Sequence, residues 1–267
     1  GENILSFDLG FDDALGHNDS LSLGYQRSMT RFPLAPSGER PNGDTLTLGF
    51  EIPYGYWTFG LSGMRNFYRS EITGALGVIE TSGSSTNLGA TADWLVFRNQ
   101  TAKTTLSAGL TWKDTQSFVL GSLVEVSSRS LSVLNVSLSD SRQMFGGQAT
   151  ASIGAQQGLP IWGAFDDAAA PAGSPLGQFR KYDVSLGFSR DWSVGAHGLS
   201  YSGALTGQWS SDLLFGSEQM SIGGRSSVRG SESGVLFGNR AAHLRNEFTW
   251  KLPKLNDPTW APALGRF

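Results

Sequence analysis

Along most of this chain hydrophobic and polar residues alternate one for one. Leu21, Leu23 and Tyr25 alternate with Ser22, Gly24 and Gln26, and Leu46, Leu48, Phe50 and Ile52 with Thr47, Gly49 and Glu51. Leu88, Ala90, Ala92, Trp94 and Val96 leave Asp93 on the other side; Val184, Leu186 and Phe188 do the same to Asp183, Ser185 and Gly187. Leu244, Asn246, Phe248 and Trp250 oppose Arg245 and Glu247. Successive side chains of a strand point to opposite faces, so a period of two with one apolar and one small or polar face marks a strand between two different environments. Helical spacing is essentially absent. The pattern predicts twelve strands, near 2–11, 18–30, 43–53, 55–68, 84–98, 101–114, 129–141, 146–155, 177–191, 196–210, 214–222 and 240–251. Many are about ten residues or more, well beyond the soluble mean of about five to six.

The predicted connections alternate in length. Short ones fall near 12–18, 53–54, 99–101, 145 and 191–196, and long ones at 30–42, 70–84, 116–128, 157–175 and 223–239. Aromatic residues gather at strand ends: Tyr54, Tyr56 and Trp57; Trp94 and Phe97; Trp192; Trp209; Trp250. Short turns on one side, long loops on the other and aromatic girdles at both rims mark an antiparallel transmembrane β-barrel. A soluble β-sandwich is the competing reading, and the strand length and thin polar faces argue against it. The alternation then places Leu46, Leu48, Phe50, Val184, Leu186 and Phe188 toward lipid. Asp93, Asp183, Arg245 and Glu247 face the lumen, where Arg245 and Glu247 are expected to enter a polar network. The 157–175 connection reads as a flexible external loop.

Composition sharpens this fold class. Charged residues make up 16% of the 267, against about a quarter in an average soluble domain. Glycine is abundant at 35 residues, but 16 Phe, 8 Trp and 6 Tyr exclude a disordered chain. A net charge of -3 without a basic run gives no sign of a nucleic-acid partner. There is no cysteine, so neither disulfides nor thiolate metal sites exist. No apolar run is long enough for a transmembrane helix. No signal peptide is visible either; an exported chain would have lost it, or it lies outside this sequence. His17, His197 and His243 are widely spaced, and no nucleophilic triad, zinc spacing or phosphate loop is present. The expectation is a protein with no catalytic residues, no metal and no cofactor.

One segment is not explained by strands. Ser221-Ile222-Gly223-Gly224-Arg225-Ser226-Ser227-Val228-Arg229-Gly230 is followed by Gly238-Asn239-Arg240 and then by Leu244-Arg245-Asn246-Glu247-Phe248-Thr249-Trp250. An isolated arginine-glycine pair is ordinarily a solvated loop. Bracketed by Gly223, Gly224 and Gly238 and backed by a strand, it resembles the long arginine-glycine loop of the Omp85 superfamily of outer-membrane transporters. The match is closest to its two-partner secretion branch, the haemolysin activators. Asp12-Asp13-Ala14-Leu15-Gly16-His17-Asn18-Asp19 likewise resembles a periplasmic turn of that branch, with Ala14 where members usually carry proline.

The resemblance implies a pore in the outer membrane of a Gram-negative bacterium that exports one large unfolded partner protein: an adhesin, a haemolysin or a contact-dependent toxin. A barrel-assembly insertase of the same superfamily is the second reading and a diffusion porin the third. It further implies that residues 223–239 fold back into the barrel, with Gly223 and Gly224 turning the chain inward and Val228-Arg229-Gly230 at the tip. A tip arginine fits that role because its planar, permanently charged fork holds a carboxylate by two parallel bonds. Ser231 stands where the family has an aromatic residue. Members have sixteen strands behind two small periplasmic domains. Residues 1–267 therefore read as an incomplete barrel domain with open edges, and the acidic partner of Arg229 is expected on a thirteenth strand outside it.

Overall fold

The computed structural model describes residues 3–29, 43–74, 77–195, 197–223, 227 and 235–251. It is almost entirely β. The strands are β1 (Asn3–Asp12), β2 (Ser20–Met29), β3 (Gly43–Tyr54), β4 (Trp57–Gly74), β5 (Gly77–Arg98), β6 (Ala102–Val119), β7 (Ser122–Leu123), β8 (Arg129–Met144), β9 (Gly147–Leu159), β10 (Arg180–Val194), β11 (His197–Trp209), β12 (Met220–Ile222), β13 (Leu236–Gly238) and β14 (Ala241–Lys251). Twelve of them form one sheet in the order β1-β2-β3-β4-β5-β6-β8-β9-β10-β11-β14, with β7 paired to β6. β12 and β13 pair only with each other. The chain divides into two units, Gly1–Trp94 with Leu106–Val136 and Gln156–Arg180, and Leu95–Thr105 with Ser137–Ala155 and Lys181–Phe267.

In the first unit the register makes the alternation physical. Phe11, Leu21, Phe50, Leu61 and Ala90 lie in one row across β1 to β5, and Leu9, Leu23, Leu48, Gly63 and Leu88 in the next row on the same face. The row between them, Gly10, Ser22, Gly49, Ser62 and Gly89, points the other way. Leu46, Leu48 and Leu61 are 47, 50 and 59% exposed, which for a continuous leucine-rich face requires a cover other than water. On the polar face glycines sit beside hydroxyl side chains: a Cβ on Gly49 would stand 2.6 Å from Ser22 Oγ, and one on Gly60 2.6 Å from Thr91 Oγ1. Each small residue makes room for its neighbour's hydroxyl, which accounts for part of the glycine content. At the short-turn end Trp57 stacks on Trp94 at 5.8 Å. The β1–β2 turn is held as its residues suggest. Asp19 accepts from the amides of Leu15 (2.9 Å) and His17, Asp13 accepts from the amide of Asn18 (2.7 Å), and Gly16 has φ 73°.

In the second unit Leu186 opposes Leu205, Phe188 opposes Gly203 and Tyr201 opposes Phe248 on one face. Asp183 opposes Gln208, Ala204 opposes Arg245 and Ser202 opposes Glu247 on the other. The predicted split of Leu186 and Phe188 from Asp183, Arg245 and Glu247 therefore holds in the register.

Four local expectations change. The strand read at 214–222 shrinks to β12, outside the main sheet, because residues 210–219 are taken up by turns held through side-chain hydrogen bonds. The long connection read at 70–84 is instead a continuous hairpin in which β4 and β5 pair as far as Gly74 and Gly77. The Arg69–Glu80 ion pair and a Thr81 hydroxyl donating to the Ser70 carbonyl (3.2 Å) reinforce it. The connection read at 116–128 likewise loses its first part to β6, which turns at Leu120 and Gly121 (φ 50° and 78°) into β7. Residues 160–179 are not loosely tethered. The Phe165 amide donates to Ser130 O (2.8 Å), Ser132 Oγ donates to Ile161 O (2.9 Å), and the Asp167 carboxylate accepts from the amides of Gly177 (2.5 Å) and Gln178 (3.0 Å).

Candidate functional site

The connection from β11 to β14 spans residues 210–240 and is the longest in the described sheet. Its foot is built around one buried ion pair. Lys181, the second residue of β10, shares the polar face with Asp183, and its ammonium lies 2.8 Å from Glu218 Oε2. The two side chains are 9% and 1% exposed. Lys181 Nζ also donates to the Glu218 carbonyl at 3.3 Å, and Gln208 Nε2 on β11 donates to the same carbonyl at 3.1 Å. Two strands of the wall thus grip one point of the connection from the polar side. Leu214, 1% exposed, supplies an apolar plug beside the pair in sequence.

Around this grip the connection is cross-tied to its own return. Asn239 Oδ1 accepts from the Leu214 amide and from Gln219 Nε2, both at 3.2 Å. Arg240 Nε donates to Ser210 O at 3.0 Å, and its guanidinium lies 5.3 Å from the Trp209 ring centroid. β12 and β13 then pair antiparallel, Met220 with Gly238, Ser221 with Phe237 and Ile222 with Leu236, so the segment rises as a hairpin stem from a pinned base. At the end of β12 Gly223 has φ 140°, a conformation open to glycine, and its amide donates to Ser227 Oγ at 2.6 Å. Gly223 thus stands just beyond the last residue of β12. Gly224, Val228, Arg229 and Gly230 lie outside the described residues. Arg245 and Glu247 face the polar side and pair with each other along β14, Arg245 Nη2 and Nε lying 2.6 and 2.9 Å from Glu247 Oε1.

Sequence reasoning missed Lys181, Gln208 and Glu218. Lys181 was visible as a cation on the polar face at the long-loop end of a chain poor in charge. Glu218 was hidden by the strand assigned over it. Among the described residues no group of three or more His, Asp or Glu residues is placed to hold a metal ion.

A known family matches this chain along nearly its whole length. The model for "Haemolysin secretion/activation protein ShlB/FhaC/HecB" matches residues 1–266. The chain belongs to this family. The outer membrane transporter CdiB of Dickeya dadantii is 32% identical over 267 residues, covering 99% of this chain and 46% of that protein. The haemolysin transporter protein ShlB of Serratia marcescens is 29% identical over 222 residues, covering 82% and 39%. The solved structure of CdiB from Escherichia coli superposes with a TM-score of 0.81 at 30% identity, covering 94% of this chain and 46% of that one. CdiB from Acinetobacter baumannii, at 20% identity and a TM-score of 0.77, adds agreement in fold. The chain spans about half the length of these proteins. The family relation makes this the sheet of an outer-membrane β-barrel of a Gram-negative bacterium. Leu186 and Phe188 lie on its exposed apolar face, and Lys181, Asp183, Arg245 and Glu247 lie on the other face. Relatives named as transporters rather than enzymes agree with the expectation of no catalytic site.

Proposed function

We propose that the whole protein is a two-partner secretion pore. It passes one large unfolded exoprotein through the outer membrane, the cargo being an adhesin, a haemolysin or a contact-dependent toxin. The observation that carries this reading is the lumenal grip of Lys181 and Gln208 on Glu218. It ties the base of the 210–240 connection to the polar face of the wall, which supports an origin of the loop on the channel side. On this reading Gly223 and Gly224 turn the chain inward, Arg229 at the Val228-Arg229-Gly230 tip meets an acidic residue of the wall, and the loop shifts when cargo passes. The Arg245–Glu247 pair keeps the Glu247 carboxylate from capturing that arginine. No nucleotide reaches this membrane, so transport draws on folding of the cargo outside.

Export by the full-length protein bearing Arg229→Ala, measured as cargo released to the medium, tests the proposal. Release is expected to fall sharply while heat-modifiable migration, the sign of an assembled barrel, stays as in the wild type. Wild-type release from Arg229→Ala would remove the role assigned to the loop.

A further inference from the structure

The apolar face of β10 and β14 breaks its alternation at two positions that meet in one place. Arg190 and Asn246 occupy positions whose neighbours along the strand, Phe188, Trp192, Leu244 and Phe248, are apolar. The register puts Arg190 opposite Tyr201 and Tyr201 opposite Phe248; one step further from the turn it puts Phe188 opposite Gly203 and Gly203 opposite Asn246. Phe188, Arg190, Trp192, Tyr201, Asn246 and Phe248 together line a concavity of about 460 Å³. Its lining carries a single charge, the Arg190 guanidinium, which is exposed and lies 5.9 Å from the Trp192 ring centroid. A Cβ on Gly146, in the turn between β8 and β9, would stand 3.4 Å from Arg190 Cζ. The guanidinium therefore lies at the level of the short turns, over backbone left bare by a glycine. Tyr201 Oη donates to Asn246 Oδ1 at 2.7 Å, which fixes that amide and leaves its N–H2 as a donor.

A cation in the middle of a lipid-facing strand is costly, and near the interface it costs little. The short-turn level, where Phe145 and Trp250 are also exposed, is the interfacial one, and short turns mark the periplasmic side. We propose that this concavity binds one glycerophospholipid of the periplasmic leaflet. Arg190 takes the phosphodiester, for which a guanidinium fork is suited. Asn246, braced by Tyr201, donates to a glycerol ester carbonyl one step deeper. Phe188 and Phe248 carry the first part of an acyl chain. The one charge in this lining, that of Arg190, selects an anionic group, and the ordering of phosphate, ester and chain along the register fits a phospholipid.

The test uses the full-length protein in detergent micelles with added phosphatidylglycerol, and counts retained lipids by native mass spectrometry. The wild type is expected to hold one phospholipid that Arg190→Ala holds about ten- to a hundredfold more weakly, the loss of a charge-assisted bond. Arg190→Lys keeps part of the retention, since it keeps the charge but not the fork. Asn246→Leu, which removes no charge and suits the lipid face, is the second variant and also weakens retention; heat-modifiable migration checks that both assemble. A parallel titration with lipid A separates the two phosphate-bearing lipids of this membrane. Equal retention by wild type and Asn246→Leu, equal retention by wild type and assembled Arg190→Ala, or preference of the wild type for lipid A overturns the proposal.

Discussion

Replacing Lys181 with alanine is the most direct perturbation of the loop base. Glu218 has a side chain 1% exposed and its carboxylate stands 2.8 Å from the Lys181 ammonium. Removing the cation leaves a carboxylate in a site that water does not reach. Truncating one partner of such a buried pair costs about 3–5 kcal/mol, several times the net value of an ordinary hydrogen bond. The Gln208 bond to the Glu218 carbonyl remains, so the wall strands stay paired and the cost falls on the connection. Its local opening equilibrium should rise by about two to four powers of ten. Amide hydrogen exchange on the full-length protein in micelles reads this directly. Residues 210–222 should lose protection in Lys181→Ala while β10 and β11 keep theirs. Lys181→Met combined with Glu218→Leu should recover most of the protection, because an apolar pair of similar volume escapes the desolvation cost of two ions. Unchanged exchange over 210–222 in Lys181→Ala would refute the reasoning, as would a double variant no better than the single one.

Leu186→Arg, on the lipid face opposite Leu205, should cost about 2–4 kcal/mol in urea unfolding of the full-length protein in bilayers, whereas Ser185→Arg, one residue away on the lumenal face, should cost much less. A Cβ at position 158 would come 1.8 Å from Gly177 O, so Gly158→Ala must displace backbone; about 1–3 kcal/mol of destabilisation and faster exchange over residues 160–179 are expected.

How far the sequence carries depends on where the relevant forces act. Strands such as β3 and β10 were legible because each residue meets one of two environments, and the choice is written one position at a time in Leu46, Thr47 and Leu48 or Leu186, Gly187 and Phe188. The hairpin beyond residue 68 was not, since apolar and polar positions do not alternate regularly there; cross-strand bonds such as Arg69–Glu80, eleven residues apart, help hold it, and they show only once the strands are paired. Residues 214–222 misled for the opposite reason. Leu213, Leu214, Phe215 and Met220 have strand-like composition, but Leu214 is buried in the foot of a loop, and Ser210 and Asn239 satisfy the backbone that a ladder would otherwise hold. The arginine-glycine motif was readable as a resemblance, while its anchor was not, because Lys181 and Glu218 meet only once the sheet brings β10 beside β11.

The pinned stem also limits where Arg229 can act. Ile222 and Leu236 are paired in the stem, and Arg229 is about seven residues from each. An extended chain spans at most about 3.3–3.6 Å per residue, so the tip reaches no more than about 25 Å from the stem. The stem rises beside the foot held by Gln208 at the long-loop end of β11. At about 3.3 Å per residue along a tilted strand, wall positions down to the neighbourhood of Ser202 fall within reach, and those at the short turns do not. Cysteines at 229 and 202 should therefore cross-link through a short reagent in the full-length protein, whereas cysteines at 229 and 193, the latter a lumenal-parity position beside the β10–β11 turn, should not. Under the function proposed above, an acid that receives Arg229 lies in the outer part of the wall under the same constraint. Efficient linkage of 229 to 193 would mean that the stem or its Lys181–Glu218 anchor opens in the membrane, and Lys181→Ala should then increase that product, which distinguishes a released loop from a mistaken geometry.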